Sequence, residues 1–251
     1  MNTNDERELK RSLMKIETLL TDIYDFMEVP LKHCPVCDTD IRLFTPFGEH
    51  LRPNAKCPVC GSLERTRAWW LYYHRVGLLG DHPFFKLLHF APEKPLFDQF
   101  IKDQNMDYFP VDYDPDFPGI RQAVDITNIP CDDDSFDRII CNHVLEHIVD
   151  EQRALQEIKR VLKPNGICYL SVPIDYKMES TLEKEEYDTP ELRSRYYGQS
   201  DHVRQYGRDF AERVQTSGLV VREINMLDGI DEMGIKKFGI NNSDSLWECT
   251  K

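Results

Sequence analysis

Asp125–Ile174 reads DITNIPCDDDSFDRIICNHVLEHIVDEQRALQEIKRVLKPNGICYLSVPI, and this stretch decides the fold. After an acidic turn, Phe136–Cys141 is an apolar run long enough for a buried strand and too short for a helix. From Glu151 to Leu162, apolar residues at 154, 158, 161 and 162 mark one face of a helix. Pro164, Asn165 and Gly166 break that helix. Ile167–Val172 is a second apolar run rich in branched residues, closed by Pro173. Strand, helix and strand of this length predict a βαβ unit. Two largely apolar strands predict a parallel sheet covered on both faces.

Outward from this unit the α/β rhythm continues. Lys86–Ala91 reads as a strand and Leu96–Ile101 as a helix. Tyr108–Tyr113 is the next strand, with Asp112 at its carboxyl end, where an acid in a nucleotide-binding sheet accepts ribose hydroxyls. Ala123–Ile126 reads as a third strand. On the far side, residues 207–216 form a helix, Gly218 stops it, 219–225 is a strand and 245–251 is the last strand, predicted antiparallel. Asp175–Ser200 interrupts the rhythm and is long for a loop, which suggests a lid over about 175–205.

FDRIICNHVLEHIVD at 136–150 and EIKRVLKPNGICYLSVP at 157–173 resemble the second half of a class I S-adenosylmethionine-dependent methyltransferase of the type 11 kind. VLEH after the fourth strand and VLKPNG before the fifth are the most specific parts, and the resemblance covers roughly residues 84–251. It implies a Rossmann-like seven-stranded sheet, last strand antiparallel, with helices on both faces. It also implies S-adenosylmethionine as cofactor. Asp112 and Tyr113 would meet its ribose, and Asp125 and Ile126 its adenine. Asn142 and His143 would line the methyl-transfer site. The family carries a glycine-rich turn after its first strand. Here that place holds His89, Phe90, Ala91, Pro92, Glu93, Lys94 and Pro95, so the turn must follow another path. His89, Phe90, Ala91 and Glu93 are the cofactor candidates there, Glu93 facing the ammonium. His147 reads as a structural histidine.

Ahead of this domain, CPVC occurs at 34–37 and again at 57–60. Each pair can place two sulfurs on one ion from a tight turn, and the nineteen residues between them permit a connecting hairpin. Cys34, Cys37, Cys57 and Cys60 therefore predict a structural zinc ribbon, closed to catalysis because four thiolates leave no open position. Residues 5–28 carry Leu9, Leu13, Ile16, Leu20, Ile23 and Met27 at heptad spacing, a helix that packs on its own domain or joins two copies as a homodimer. Ser62–Leu79 is a helix loaded with Trp69, Trp70, Tyr72 and Tyr73, on which Arg65 and Arg67 read as a solvated face. The expected division is 1–30 helix, 31–80 ribbon and connecting helix, and 81–251 methyltransferase domain.

Hydrophobic content of 41% and charged content of 30% exclude a disordered chain. No apolar stretch approaches the roughly twenty residues that span a bilayer. The segment MNTNDERELKRS lacks the apolar core of a secretion signal, so the expected location is the cytoplasm, with thiols reduced. A net charge of −13 argues against nucleic acid as partner. The expected activity is methyl transfer to a small molecule. If the nucleophile must lose a proton, His143 and His202 are the candidate bases. Residues 191–210 are net positive, which points to an anionic acceptor held by Arg204 with Tyr206 and Tyr176 beneath the lid. The rival readings are an RNA methyltransferase and a binding module that kept the fold without catalysis.

Overall fold

The computed structural model describes residues 31–48, 51–241 and 244–251, together with positions 12, 15–16, 18–20 and 23. Those isolated positions are helical, and Ile16, Leu20 and Ile23 are exposed there. Leu9, Leu13 and Met27, and with them most of the heptad and its dimer contact, lie outside the described residues. The chain forms two compact units. One comprises Met1–Arg67 with Ile230–Ile240, the other Ala68–Gly229 with Asn241–Lys251. This differs from boundaries at 30 and 80, since a segment late in the chain joins the small unit.

The small unit is built from short pieces. Strands β1 (Lys32–Cys34) and β2 (Thr39–Ile41) pair antiparallel, as do β3 (Thr45–Phe47) and β4 (Arg52–Lys56). Two-stranded ribbons of this size are marginal alone. Among the described residues few apolar side chains are buried there besides Cys34 and Cys57: Val36, Ile41, Phe44, Ala55 and Ile240. Arg67 supplies the missing order. It is fully buried, not solvated, and its guanidinium lies 3.7 Å from the Phe44 ring centre. Its N–H groups donate to the carbonyls of Asn54, Ala55, Ser62, Phe238 and Gly239. One cation thus ties the returning 230–240 segment, including the helix Glu232–Phe238, to the ribbon.

The large unit carries a seven-stranded sheet. Its strands are β5 (Phe85–Phe90), β6 (Met106–Asp112), β7 (Gln122–Ala123), β8 (Phe136–Asn142), β9 (Leu162–Ser171), β10 (Val220–Ile224) and β11 (Leu246–Thr250), in spatial order β10-β11-β9-β8-β5-β6-β7. The pairs among β5 to β9 are parallel, while β11 runs antiparallel to both neighbours. The parallel sheet is the one the apolar runs predicted, and its seven strands with the last antiparallel are what the family resemblance implied. Helix Glu151–Val161 is capped by Asp150, whose side chain accepts from Arg153 N at 3.0 Å. It buries Leu155, Ile158 and Val161, each worth about 1.5–3 kcal/mol. Pro164-Asn165-Gly166 does not separate helix from strand. It lies inside β9, where the register against β8 jumps from Phe136↔Leu162 to Arg138↔Ile167. Tyr73 packs on Tyr169 of the sheet, with ring centres 5.2 Å apart. Among the described residues no helix is long and apolar enough to cross a membrane.

The 175–205 insert is structured. Leu182 and Gln205 exchange backbone hydrogen bonds, and helix Pro190–Tyr197 runs from a Thr189 cap to Gly198 at φ 88°.

Candidate functional site

The register of the parallel strands brings their carboxyl ends level. Phe90 lies opposite Val111 and Cys141, Asp112 opposite Ala123, and Asn142 opposite Ser171. A pocket of about 590 Å³ opens along this edge. Phe90 and Ala91 line it from β5, Asp112 and Tyr113 from β6, and Val124, Asp125, Ile126 and Thr127 from the segment after β7. His143, Val144, His147, Ile148, Val149 and Asp150 close it from the segment after β8. Parallel sheets place ligands here because the turns leaving the strands splay apart and expose backbone.

Two of those turns carry left-handed backbone. Ala91 has φ 44° and His143 φ 53°. The Ala91 N–H donates to Val111 O at 2.9 Å and the His143 N–H to Ser171 O at 2.8 Å, which fixes both turns. The turn after β5 therefore takes a glycine-like conformation without a glycine, using the smallest residue that has a Cβ. Asp112 accepts from Asp114 N through Oδ1 at 2.9 Å, and its second oxygen has no hydrogen-bond partner among the described residues. Asp125 Oδ1 is held by the Thr127 N–H and hydroxyl, at 2.8 and 2.7 Å.

The pocket gathers Phe90, Ala91, Asp112, Tyr113, Asp125, Ile126 and His143 from the expected set. His89, Glu93 and Asn142 are not among its lining residues. His89 is fully buried with Nδ1 3.0 Å from the Tyr108 hydroxyl, and burial drops its pKa to about 3. Asn142 is buried and its Nδ2 donates to Tyr73 Oη at 3.4 Å. The acceptor residues are corrected. Arg204 is 1% exposed and donates to the carbonyls of Leu145, Ile148 and Val149 and to Glu183. A guanidinium so occupied cannot clamp an acceptor. Tyr206 is buried and donates to Glu151 at 2.7 Å. Tyr176 lines a different cavity, of about 520 Å³, beside Glu223 and Asp244. The pocket itself holds no lysine or arginine among the described residues, so the anionic acceptor loses its support.

Neither candidate base stands free. His143 Nδ1 lies 3.2 Å from Glu146 Oε1 and Nε2 lies 3.0 Å from Asp244 Oδ2. His202 is buried outside the pocket lining, with Nδ1 3.0 Å from Tyr197 O. His147, read as structural, lines the pocket instead. Its signal was the VLEH motif, which ends on it.

In the small unit Cys34, Cys37, Cys57 and Cys60 converge, with all four sulfurs within 4.8 Å of one another. Cys34 and Cys60 are 3.7 Å apart, Cys37 and Cys57 3.9 Å. Tetrahedral thiolates bonded to zinc at about 2.3 Å sit roughly 3.8 Å apart, so the donor set fits that ion.

Residues 101–170 match the family model described as "Methyltransferase domain". That stretch, a little over a quarter of the chain, is similar to the methyltransferase family. A 52-residue stretch is 44% identical to the demethylmenaquinone methyltransferase of Clavibacter sepedonicus, covering 20% of this chain and 21% of that one. The match therefore spans about a fifth of that relative's length. Among solved structures, YcgJ of Bacillus subtilis resembles the chain at 14% identity over 72% of this chain and 98% of that one, with a TM-score of 0.48. The 1,6-didemethyltoxoflavin-N1-methyltransferase of Burkholderia thailandensis, solved with bound 1,6-didemethyltoxoflavin and S-adenosylhomocysteine, resembles it at 14% identity over 73% of this chain and 76% of that one, with a TM-score of 0.47. The matched segment runs from Ile101 through β6 and β8 to Leu170 in β9, so it includes most of the pocket's lining.

Proposed function

We propose that the protein transfers a methyl group from S-adenosylmethionine to a small-molecule acceptor, and that the four cysteines hold one structural zinc ion. The observation that carries the first reading is Asp112, an acid at the carboxyl end of the second parallel strand with one oxygen uncommitted at the pocket. That oxygen suits ribose hydroxyls. Val124, Ile126, Ile148 and Val149 supply an apolar wall for a flat base, and the left-handed turn at Ala91 brings backbone close, as a glycine would.

The cofactor supplies an electrophilic methyl carbon on a sulfonium. The protein's task is alignment and exclusion of water, and proximity supplies much of the rate. His143 lines the pocket with a carboxylate beside each ring nitrogen, Glu146 at Nδ1 and Asp244 at Nε2, so both nitrogens are engaged within the protein. It is therefore a positioning residue and not a base.

Titration calorimetry with S-adenosylmethionine tests this reading. Binding is expected in the wild type, and Asp112→Ala is expected to weaken it tenfold or more. Charge-assisted hydrogen bonds contribute roughly 1.5–3 kcal/mol each, and tenfold is about 1.4 kcal/mol. No heat in the wild type, or equal affinity in the variant, would overturn it. For the ribbon, Cys57→Ser should carry one zinc fewer per chain than wild type by metal analysis.

A further inference from the structure

We propose that Glu146, His147 and His202 form a second metal centre, at the edge of the pocket, for one divalent cation of the zinc and cobalt class. Donor atoms of these three side chains lie within 4.8 Å of one another. Two come from the 3₁₀ turn Leu145–His147 that follows β8, and the third from the end of the insert. Bonds of about 2.1 Å would bring such atoms to roughly 3.4 Å, which a small side-chain rotation supplies.

Three observations separate this cluster from ordinary core packing. Glu146 is 1% exposed, and while its Oε1 meets His143, its Oε2 has no hydrogen-bond partner. A buried carboxylate oxygen without a partner costs stability, and a cation that meets it offsets that cost. His202 is 4% exposed, and its Nδ1 faces the Tyr197 carbonyl at 3.0 Å. A carbonyl only accepts, so Nδ1 carries the proton and Nε2 keeps the lone pair. This is how a carbonyl orients a metal-bound histidine. His147 Nδ1 lies 3.3 Å from Asp201, a carboxylate partner of the same kind, and its ring meets His202 edge to face at 4.8 Å. Packing of the two rings alone would leave Glu146 unexplained.

The surrounding backbone holds the donors in place. Arg204 donates to the carbonyls of Leu145, Ile148 and Val149, and the Val203 N–H donates to Glu146 O at 2.8 Å. The segment carrying His202 is thus stitched onto the turn carrying the other two donors. Two imidazoles and one carboxylate suit zinc, iron or cobalt better than magnesium or calcium, which prefer oxygen alone. Three protein donors also leave positions open, unlike the four-cysteine site. Since His147 lines the pocket, an oxygen of the acceptor could complete the shell. That last step rests on the methyl-transfer reading; the presence of the ion does not.

The test counts metal in the full-length protein after incubation with zinc chloride and desalting. His147→Ala and Glu146→Gln should each carry one equivalent fewer than wild type, whatever the ribbon holds, because the difference cancels the cysteine site. His147 is partly exposed, so its truncation opens no core cavity, and circular dichroism checks that the fold is kept. Equal zinc in wild type and folded His147→Ala overturns the proposal. A cobalt(II) titration gives a second readout. Weak visible bands of nitrogen- and oxygen-ligated cobalt should appear in wild type and be absent from His147→Ala. If only the intense thiolate bands appear in wild type, the cluster binds no metal and the proposal fails.

Discussion

His89 shows how a single residue sets a pH dependence. The folded protein keeps this imidazole neutral down to about pH 3, because burial disfavours the cation. The unfolded chain takes up the proton near its ordinary value of about 6.5. Between those limits only the unfolded state binds it, so stability falls as pH falls, by about 1.4 kcal/mol per unit for this group. Urea unfolding at pH 7, 6 and 5 should show a shallower loss in His89→Asn than in wild type; identical slopes would assign the effect elsewhere. At Ala91 the left-handed φ decides. Ala91→Gly should stay within about 1 kcal/mol of wild type, since relieved strain offsets added chain entropy. Ala91→Val should lose more, as a branched residue resists that region. Chemical denaturation of both variants gives the comparison. The place of Asp112 at the pocket was legible because it ends an apolar strand, and parallel strands open their carboxyl ends into the crevice. Arg204 was not, because sequence shows a positive charge without showing that backbone carbonyls already surround it.

Among elements, strands were the most legible, since parallel strands buried on both faces read as unbroken apolar runs. The insert and the helix Glu232–Phe238 were not. The latter buries no residue and is announced only by its Asp231 cap, which accepts from Gly234 N at 2.7 Å. The insert is held by ion pairs and hydrogen bonds more than by apolar periodicity. Arg204 and Arg213 share Glu183, while Glu151 takes Arg213 and the Tyr206 hydroxyl. Such networks leave no repeating pattern in a sequence. Their removal is costly in a particular way. Arg204→Ala strands the carbonyls of the 145–149 turn and leaves the buried Glu151 with one cation fewer, so a loss of about 3 kcal/mol or more is expected. Urea denaturation measures it. A loss below about 1 kcal/mol would mean that water replaces the guanidinium at little cost.

The two units of the molecule rest on different forces, and this yields the last prediction. The large unit encloses one contiguous core that runs from Leu88 and Val111 through Ile139, Ile158 and Leu170 to Trp247. Such a core supports a fold without an ion. The small unit has strands of three to five residues and few buried apolar side chains. Its order depends on Arg67 and on the four converging sulfurs. Without an ion, thiolates this close repel one another, and neutral thiols give little in return. Binding of the proposed zinc there would be folding free energy. A strong chelator should therefore melt the small unit while the sheet of the large unit stays folded. Hydrogen exchange read residue by residue is the suitable measurement. Amides of Lys32–Cys34 and Arg52–Lys56 should lose protection on chelation, and amides of Phe85–Phe90 and Phe136–Asn142 should keep it. Loss of protection in both sets together would show that the ion supports the whole molecule. Unchanged protection in the ribbon would show that Arg67 holds it without metal.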